Sequence, residues 1–188
     1  MSSTCRYVSG DAKPRVFPAS QSYPFEKGDL LYEHPADHTL RRASDLGIQA
    51  SNEAAQLAFA EYFVGVAGVK NGLESGEISF KNNPNFESEV LVFTGGVWEF
   101  DCPAQNFVNN QGVGVYATGG LCPSPQKVDA LQGGATLSAV IGKAVLTAGA
   151  LQAAAKSQTK TRLCVEIRPS EEQGGIPTAG TYSGTSGQ

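Results

Sequence analysis

A run of β-branched and aromatic residues, EVLVFTGGVWEFDC at positions 89–102, is broken near its middle by a pair of glycines. Two apolar runs joined by such a pair are typical of a β-hairpin, so the sequence predicts a hairpin here. Because side chains alternate between the two faces of a strand, Trp98, Phe100 and Cys102 share one face. Burial of a large apolar side chain stabilises a fold by about 2–3 kcal/mol. We therefore expect Trp98 and Phe100 to lie at the centre of a β core.

A second strand is predicted at positions 161–168, TRLCVEIR, where apolar and polar residues alternate. Leu163, Val165 and Ile167 point to one face of this strand, and the charged residues point to the other. We expect these three aliphatic side chains to belong to the same core.

One helix is predicted at positions 52–63, directly after Ser51, which is a favourable N-cap residue. Glu53 lies in the first turn, where a carboxylate complements the positive end of the helix dipole. Apolar residues at helical spacing predict the packing face of this helix, and they are Ala54, Leu57, Ala58 and Tyr62.

The composition of the chain favours short strands and turns over long helices. Among its 188 residues are 22 glycines and 10 prolines, and only 17% of residues are charged. A chain of this length most simply forms one domain. Three prolines impose extended geometry on their predecessors within residues 1–24, which are predicted to form an extended N-terminal arm. Residues 170–188 have no periodicity and are predicted to form a C-terminal tail, which leaves a mainly β domain at residues 25–169.

The charge and hydropathy of the chain disfavour two classes of partner. A net charge of −4 and no dense cluster of lysine and arginine argue against direct binding of nucleic acid. No apolar run approaches the length of a membrane span, and the first fifteen residues lack the apolar core of a signal peptide. We expect no membrane partner.

Candidate metal-ligating and catalytic residues are few and scattered. His34 and His38 would face together on a helix, but the proline between them predicts a turn, and no third ligand is evident. The four cysteines are widely spaced and are expected to be reduced thiols, with no zinc site. We expect no metal and no cofactor.

Three enzymatic patterns find little support in the sequence. A cysteine–histidine dyad would need one of Cys102, Cys122 and Cys164 to meet a histidine, and such pairs are seldom catalytic. Glu99 and Asp101 share a strand face about 7 Å apart, but alternating acids on a strand are typical of a solvated surface. The chain also lacks the phosphate-binding loop and the nucleophile elbow. We expect this protein not to be an enzyme.

Several segments, in order, resemble the capsid decoration proteins of tailed phages, which are also called head cement or stabilisation proteins. The resemblance spans residues 25–169 and also includes a valine-rich middle strand. Its segments are FEKGDLLY at 25–32, FVGVA at 63–67, GVWEF at 96–100, AVIGKA at 139–144 and TRLCVEIRP at 161–169. The longer arms and an alanine-rich insertion at 149–156 depart from the simplest members of the family.

The resemblance implies a compact β-barrel or β-tulip domain that forms a homotrimer. Such trimers sit on the outer surface of the capsid and clamp neighbouring major capsid protein subunits. A member of this family would be made in the host cytoplasm and located on the virion. The family has no known catalytic residues, so none are carried over to this chain.

An extended arm that is rich in proline loses less entropy on docking than a coil does. We therefore expect the N-terminal arm to contact capsid subunits or a neighbouring trimer. The residues predicted to make this contact are Arg15, Val16, Phe17, Tyr23 and Phe25.

Other functions also fit the sequence. The chain would suit another virion component, such as a head fibre base or a β domain of the tail or baseplate. A small-ligand-binding or enzymatic β-barrel would need a deep pocket with convergent polar groups. A cellular shell or adhesion module would share the trimer but not the capsid partner.

Overall fold

The computed structural model describes residues 5–20, 22–71, 87–117, 122–131, 137–146 and 158–169. These residues form eleven β-strands, one α-helix and two short 3₁₀ helices, which confirms the predicted mainly β fold with one short helix. The strands belong to two antiparallel sheets, and the helix lies against the larger sheet.

The larger sheet contains six strands and curls back on itself. Its last strand returns toward the second, where Asp101 and Lys127 form a single parallel bridge rather than a ladder. The predicted barrel is therefore not closed. In sheet order the strands are β1 (Arg6–Ser9), β7 (Val97–Phe107), β11 (Gln158–Ile167), β10 (Gly142–Val145), β8 (Gly112–Val115) and β9 (Val128–Ala130).

The smaller sheet contains five strands, and its two edge strands approach each other. In sheet order they are β2 (Pro14–Ser20), β6 (Glu87–Phe93), β5 (Phe63–Ala67), β3 (Leu30–Glu33) and β4 (Leu40–Arg42).

Helix α1 (Asn52–Glu61) begins where the sequence predicts, because the Ser51 side chain accepts a hydrogen bond from the Ala54 amide at 3.1 Å. The predicted packing face is wrong. Leu57 is 47% exposed, and the buried residues are Ala55, Gln56, Phe59 and Ala60. The buried face contains a polar residue, Gln56, whose Nε2 donates to the carbonyl oxygen of Ala130 at 3.0 Å.

The predicted hairpin at 89–102 is also wrong. Strand β6 pairs with β2 and β5, whereas β7 pairs with β1 and β11, so the two strands belong to different sheets. Gly95 and Gly96 form a corner at which the chain crosses from one sheet to the other. Gly96 has a φ of +86°, a backbone conformation that glycine adopts without strain. The indole Nε1 of Trp98 donates to the Gly95 carbonyl oxygen at 2.9 Å and so ties the corner to the core.

Residues 5–20, here called the N-terminal strap, make the same crossing beside this corner. Strand β1 pairs with β7 at the edge of the larger sheet, and β2 pairs with β6 at the edge of the smaller one. Between them, the Gly95 amide donates to the Ala12 carbonyl oxygen at 3.1 Å, and the Thr94 amide donates to that of Lys13 at 3.2 Å. The predicted N-terminal arm is extended, but its described part is an edge of both sheets rather than a separate arm.

The two sheets enclose the larger of two apolar clusters. All five side chains that the sequence predicts for the core lie in it with 4% exposure or less, namely Trp98, Phe100, Leu163, Val165 and Ile167. The smaller cluster includes Ala19 of the strap, Phe25 and Leu31. Because Ala19 and Cys5 both contact these clusters, the strap contributes to the interior as well as to the surface.

Two further predicted elements differ from the structure or fall outside it. Within the long strand predicted at 135–147, the described residues 137–146 instead form a 3₁₀ turn at Leu137–Ala139 followed by the short strand β10. Strand β11 alternates as predicted and begins earlier, at Gln158. The short helical segment predicted at 149–156 and the tail at 170–188 lie outside the described residues.

Candidate interaction surface

Strand β2 presents one face to solvent and the other to the smaller apolar cluster. Val16 is 59% exposed, and Pro18 on the same face is also exposed. Phe17 is half-buried and Ala19 is buried, and both pack with the smaller cluster. Because β2 is fixed to β6 over its whole length, its exposed residues are held in a defined geometry.

Strand β1, on the other side of the corner, also has exposed apolar residues. Tyr7 is 47% exposed, and its ring packs edge-on against Trp98 with 5.3 Å between ring centroids. Val8 is 38% exposed. Tyr7, Val8 and Val16 are three of the seven large apolar residues that are exposed in the described part of the chain. The strap therefore holds a disproportionate share of the exposed apolar surface.

The remaining two residues of the predicted contact set lie just after the strap. Tyr23 is half-buried, and the guanidinium of Arg41 lies 3.9 Å from its ring centroid in a cation–π contact. Phe25 is only 1% exposed and forms a β-bridge with Asn71. Phe25 is thus a core residue, and we remove it from the predicted contact set because its ring cannot reach a partner.

A groove of about 250 Å³ lies beside β2, and we call it the strap groove. One wall contains Arg15 and Phe17 of β2, and another contains Glu61 and Tyr62 at the end of α1 together with Val64 of β5. A hydrogen bond to the Glu61 carboxylate raises the pKa of Tyr62. The groove is thus lined by both apolar and charged side chains.

The turn between β3 and β4 completes the strap groove with Glu33, Pro35 and His38. The Nδ1 of His38 lies 2.6 Å from the Glu33 carboxylate, so these two polar side chains contact each other on this side of the groove. Pro169, the last described residue of the chain, also lines the groove.

Asp37 organises the same turn. Its carboxylate accepts hydrogen bonds from the hydroxyl of Thr39 at 2.7 Å and from the amide of Thr39 at 3.2 Å, and also from the guanidinium of Arg41. These hydrogen bonds, with that of the Thr39 side chain first, hold the pKa of Asp37 well below its ordinary value of 3.8. His34 lies 3.2 Å from the same carboxylate. The two histidines thus contact carboxylates within one turn, and no metal-binding cluster is found among the described residues.

The outer face of the larger sheet has a row of alternating charges. Glu99 lies 2.6 Å from Arg6 and 3.1 Å from Arg162, and Arg162 lies 3.5 Å from Asp101. Glu99 and Asp101, which share this strand face as predicted, are thus joined by an arginine. Such ion pairs at a surface contribute little to stability, with about 0–1 kcal/mol each.

The four cysteines form no disulfide with one another, and they differ in exposure. Burial raises the pKa of Cys5 to about 12 and that of Cys102 to about 11, so both are protonated at neutral pH. Cys122 is exposed and Cys164 is half-buried on β11. Neither buried thiol has the depressed pKa that a nucleophilic cysteine requires.

Comparison with protein-family models gives no match, and comparison with curated proteins gives none either. No helix among the described residues is long and apolar enough to cross a membrane.

The strap groove is the feature that the sequence does not predict. Its residues come from five separate parts of the chain, and only the composition of the strap pointed to this region.

Proposed function

We propose that this protein is a structural component of a phage virion, which binds the outer surface of the capsid as a homotrimer. In this role it stabilises contacts between neighbouring major capsid protein subunits. The observation that carries the proposal is the exposed apolar surface of the strap, where Tyr7, Val8 and Val16 are held on the edges of two sheets. A concentration of exposed apolar side chains in one segment favours a protein–protein interface there.

The rigidity of the strap supports docking to a large partner. A segment that is already paired along its length loses little further entropy when it binds, so more of its contact energy appears as affinity. A stable interface buries about 1,200–2,000 Å² in total, which takes more than a few exposed side chains. In a homotrimer, each subunit contributes its own contact. Several weak contacts that are repeated over a symmetric shell add to the overall affinity through avidity.

The ratio of this protein to the major capsid protein in gradient-purified particles tests the proposal, and quantitative mass spectrometry measures it. We expect a ratio near one to one, together with a trimer mass in native mass spectrometry of the isolated protein. A ratio of a few per cent would instead favour another virion component, such as a head fibre base or a baseplate domain. Absence from particles would overturn a virion role and favour a ligand-binding or enzymatic β domain.

A further inference from the structure

The strap groove has the size of a peptide subsite rather than that of a metabolite pocket. Its volume of about 250 Å³ is below the roughly 300–1,000 Å³ that is typical of small-molecule sites. Phe17, Tyr62 and Val64 form an apolar lining, which suits one or two aliphatic side chains. The lining also has both signs of charge, Arg15 and Glu33 among them, so it does not favour an occupant of one charge.

The position of the chain end indicates the occupant. Pro169 lines the groove, and the chain continues for 188 − 169 = 19 residues beyond it. This C-terminal segment, SEEQGGIPTAGTYSGTSGQ, has one aliphatic pair, Ile176 and Pro177. Ile176 is seven residues from Pro169, and an extended chain of that length spans up to about 23 Å. Gly174 and Gly175 directly before the pair allow the chain to turn back, because glycine adopts conformations that other residues avoid.

We propose that the C-terminal segment 170–188 binds in the strap groove of its own chain, with Ile176 and Pro177 against Phe17, Tyr62 and Val64. The segment starts at the wall of the groove, so the linker to Ile176 is short. A binding segment on a short linker has an effective concentration in the millimolar range. At this effective concentration, the segment largely occupies the groove of its own chain even when the apolar contact is weak. This inference does not depend on the capsid role.

Hydrogen–deuterium exchange of the full chain, followed by mass spectrometry, tests the proposal. In the wild type we expect the amides of residues 174–179 to exchange about tenfold more slowly than those of the same sequence as a free peptide. Ile176→Asp places a charge in the apolar groove, and it should remove that protection and also speed exchange in peptides that cover residues 15–17 and 62–64. The matched control Thr181→Asp adds the same charge to the same segment and should leave both regions unchanged.

A second pair of variants tests the groove from the other side. Tyr62→Ser should speed exchange of residues 174–179, whereas Leu57→Ser on the exposed side of the same helix should not. A melting temperature for each variant shows that the chain remains folded. Exchange of residues 174–179 at the free-peptide rate in the wild type would overturn the proposal. Unchanged exchange in the peptides that cover residues 15–17 and 62–64 in Ile176→Asp would also overturn it.

The same experiment distinguishes the chain's own segment from that of a second copy. Binding within one chain makes the protection of residues 174–179 independent of protein concentration. We expect equal protection at two concentrations that differ tenfold. Protection that falls on dilution would instead assign the groove to the C-terminal segment of a neighbouring copy and would overturn the assignment to its own chain.

Discussion

Asp37 is a single residue whose charge supports a turn, because the Thr39 hydroxyl and amide and the Arg41 guanidinium all donate to its carboxylate. Its pKa is lower in the folded chain than the ordinary 3.8 of an unfolded one. The stabilisation is therefore fully present above about pH 4 and is lost as the pH falls through the folded-state pKa.

We expect Asp37→Asn to lower the melting temperature at pH 6 and to have progressively less effect as the pH falls from 4 toward 2. Thermal unfolding of both proteins across this range measures the difference. Thr39→Val removes one of the donors and should give a smaller change of the same sign. A difference between wild type and Asp37→Asn that stayed constant down to pH 2 would contradict the prediction.

The cysteines also differ at the scale of single residues. Burial keeps Cys5 and Cys102 protonated at neutral pH, whereas Cys122 is exposed. Because the thiolate is the reactive form, we expect iodoacetamide at pH 7.5 to modify Cys122 well before Cys5 and Cys102 in the native protein. Mapping of the modified residues by mass spectrometry, with a denatured sample as the control, checks this order. Labelling of Cys5 as fast as Cys122 would count against the packing of Cys5 on the larger apolar cluster.

At the scale of elements, the corner between the sheets depends on glycine. A Cβ atom on Gly96 would lie 3.0 Å from the ring of Tyr7 and 3.3 Å from the Cα of Ala12, and the φ of +86° is strained for any other residue. Gly47 has a similar φ of +80°, but a Cβ atom there would have no heavy atom within 4 Å, so this position separates strain from crowding.

We expect Gly47→Ala to lower the free energy of unfolding by about 1–3 kcal/mol because of backbone strain. Gly96→Ala should cost more, because the strap must also move away from the corner. Urea unfolding measures both losses. The indole of Trp98 is hydrogen-bonded to the Gly95 carbonyl oxygen at the corner. Its fluorescence should therefore change in folded Gly96→Ala and not in Gly47→Ala. Equal losses of unfolding free energy in the two variants would mean that a Cβ atom at position 96 does not clash with the strap.

The elements also show which local signals were sufficient for prediction. Alternation in β11 predicted its buried face correctly, because both neighbours of this central strand lie in one sheet. The glycine pair at 95 and 96 fits a hairpin and a corner equally well in sequence, and only pairing with the distant strap decides between them. The helix face was mispredicted because its buried side includes the polar residue Gln56. The burial of Gln56 is compensated by its hydrogen bond to Ala130, a residue 74 positions away in the chain.

At the scale of the whole molecule, the surface was less predictable than the core. Val16 was expected at an interface and is indeed exposed, whereas Phe25 was expected there and is buried beside Asn71. Both are apolar residues in a stretch that is rich in proline, so composition could not distinguish them. The strap groove could not be predicted at all, because it exists only once β2, the β3–β4 turn, α1 and Pro169 are brought together.

The proposed capsid role makes a prediction for the whole particle. We expect Val16→Asp to reduce occupancy on capsids about tenfold or more at limiting protein, because a carboxylate would be buried at the interface. Ile48→Asp is the matched control, since Ile48 is 72% exposed in the loop before α1 and lies outside the strap. Deletion of residues 1–20 is a poorer test, because it also removes Ala19 and Cys5 from the apolar clusters.

Binding of each variant to capsids that lack the protein, followed by sedimentation, measures the occupancy. Exposed substitutions usually change stability by about 0.5 kcal/mol or less, so both variants should fold normally. Equal occupancy of Val16→Asp and wild type would exclude Val16 from the contact.

The strap also has a consequence for how the chain is made on the ribosome. Arg6 contacts Glu99, which follows it by 93 residues, so the strap has no strand to pair with until that part is synthesised. At about 5–20 residues per second, this wait lasts roughly 5–20 s. The strap thus leaves the ribosome well before the strands that hold it. During that interval the open edges of β6 and β7 can accept the strap of another nascent chain, so neighbouring ribosomes on one message would favour exchanged assemblies.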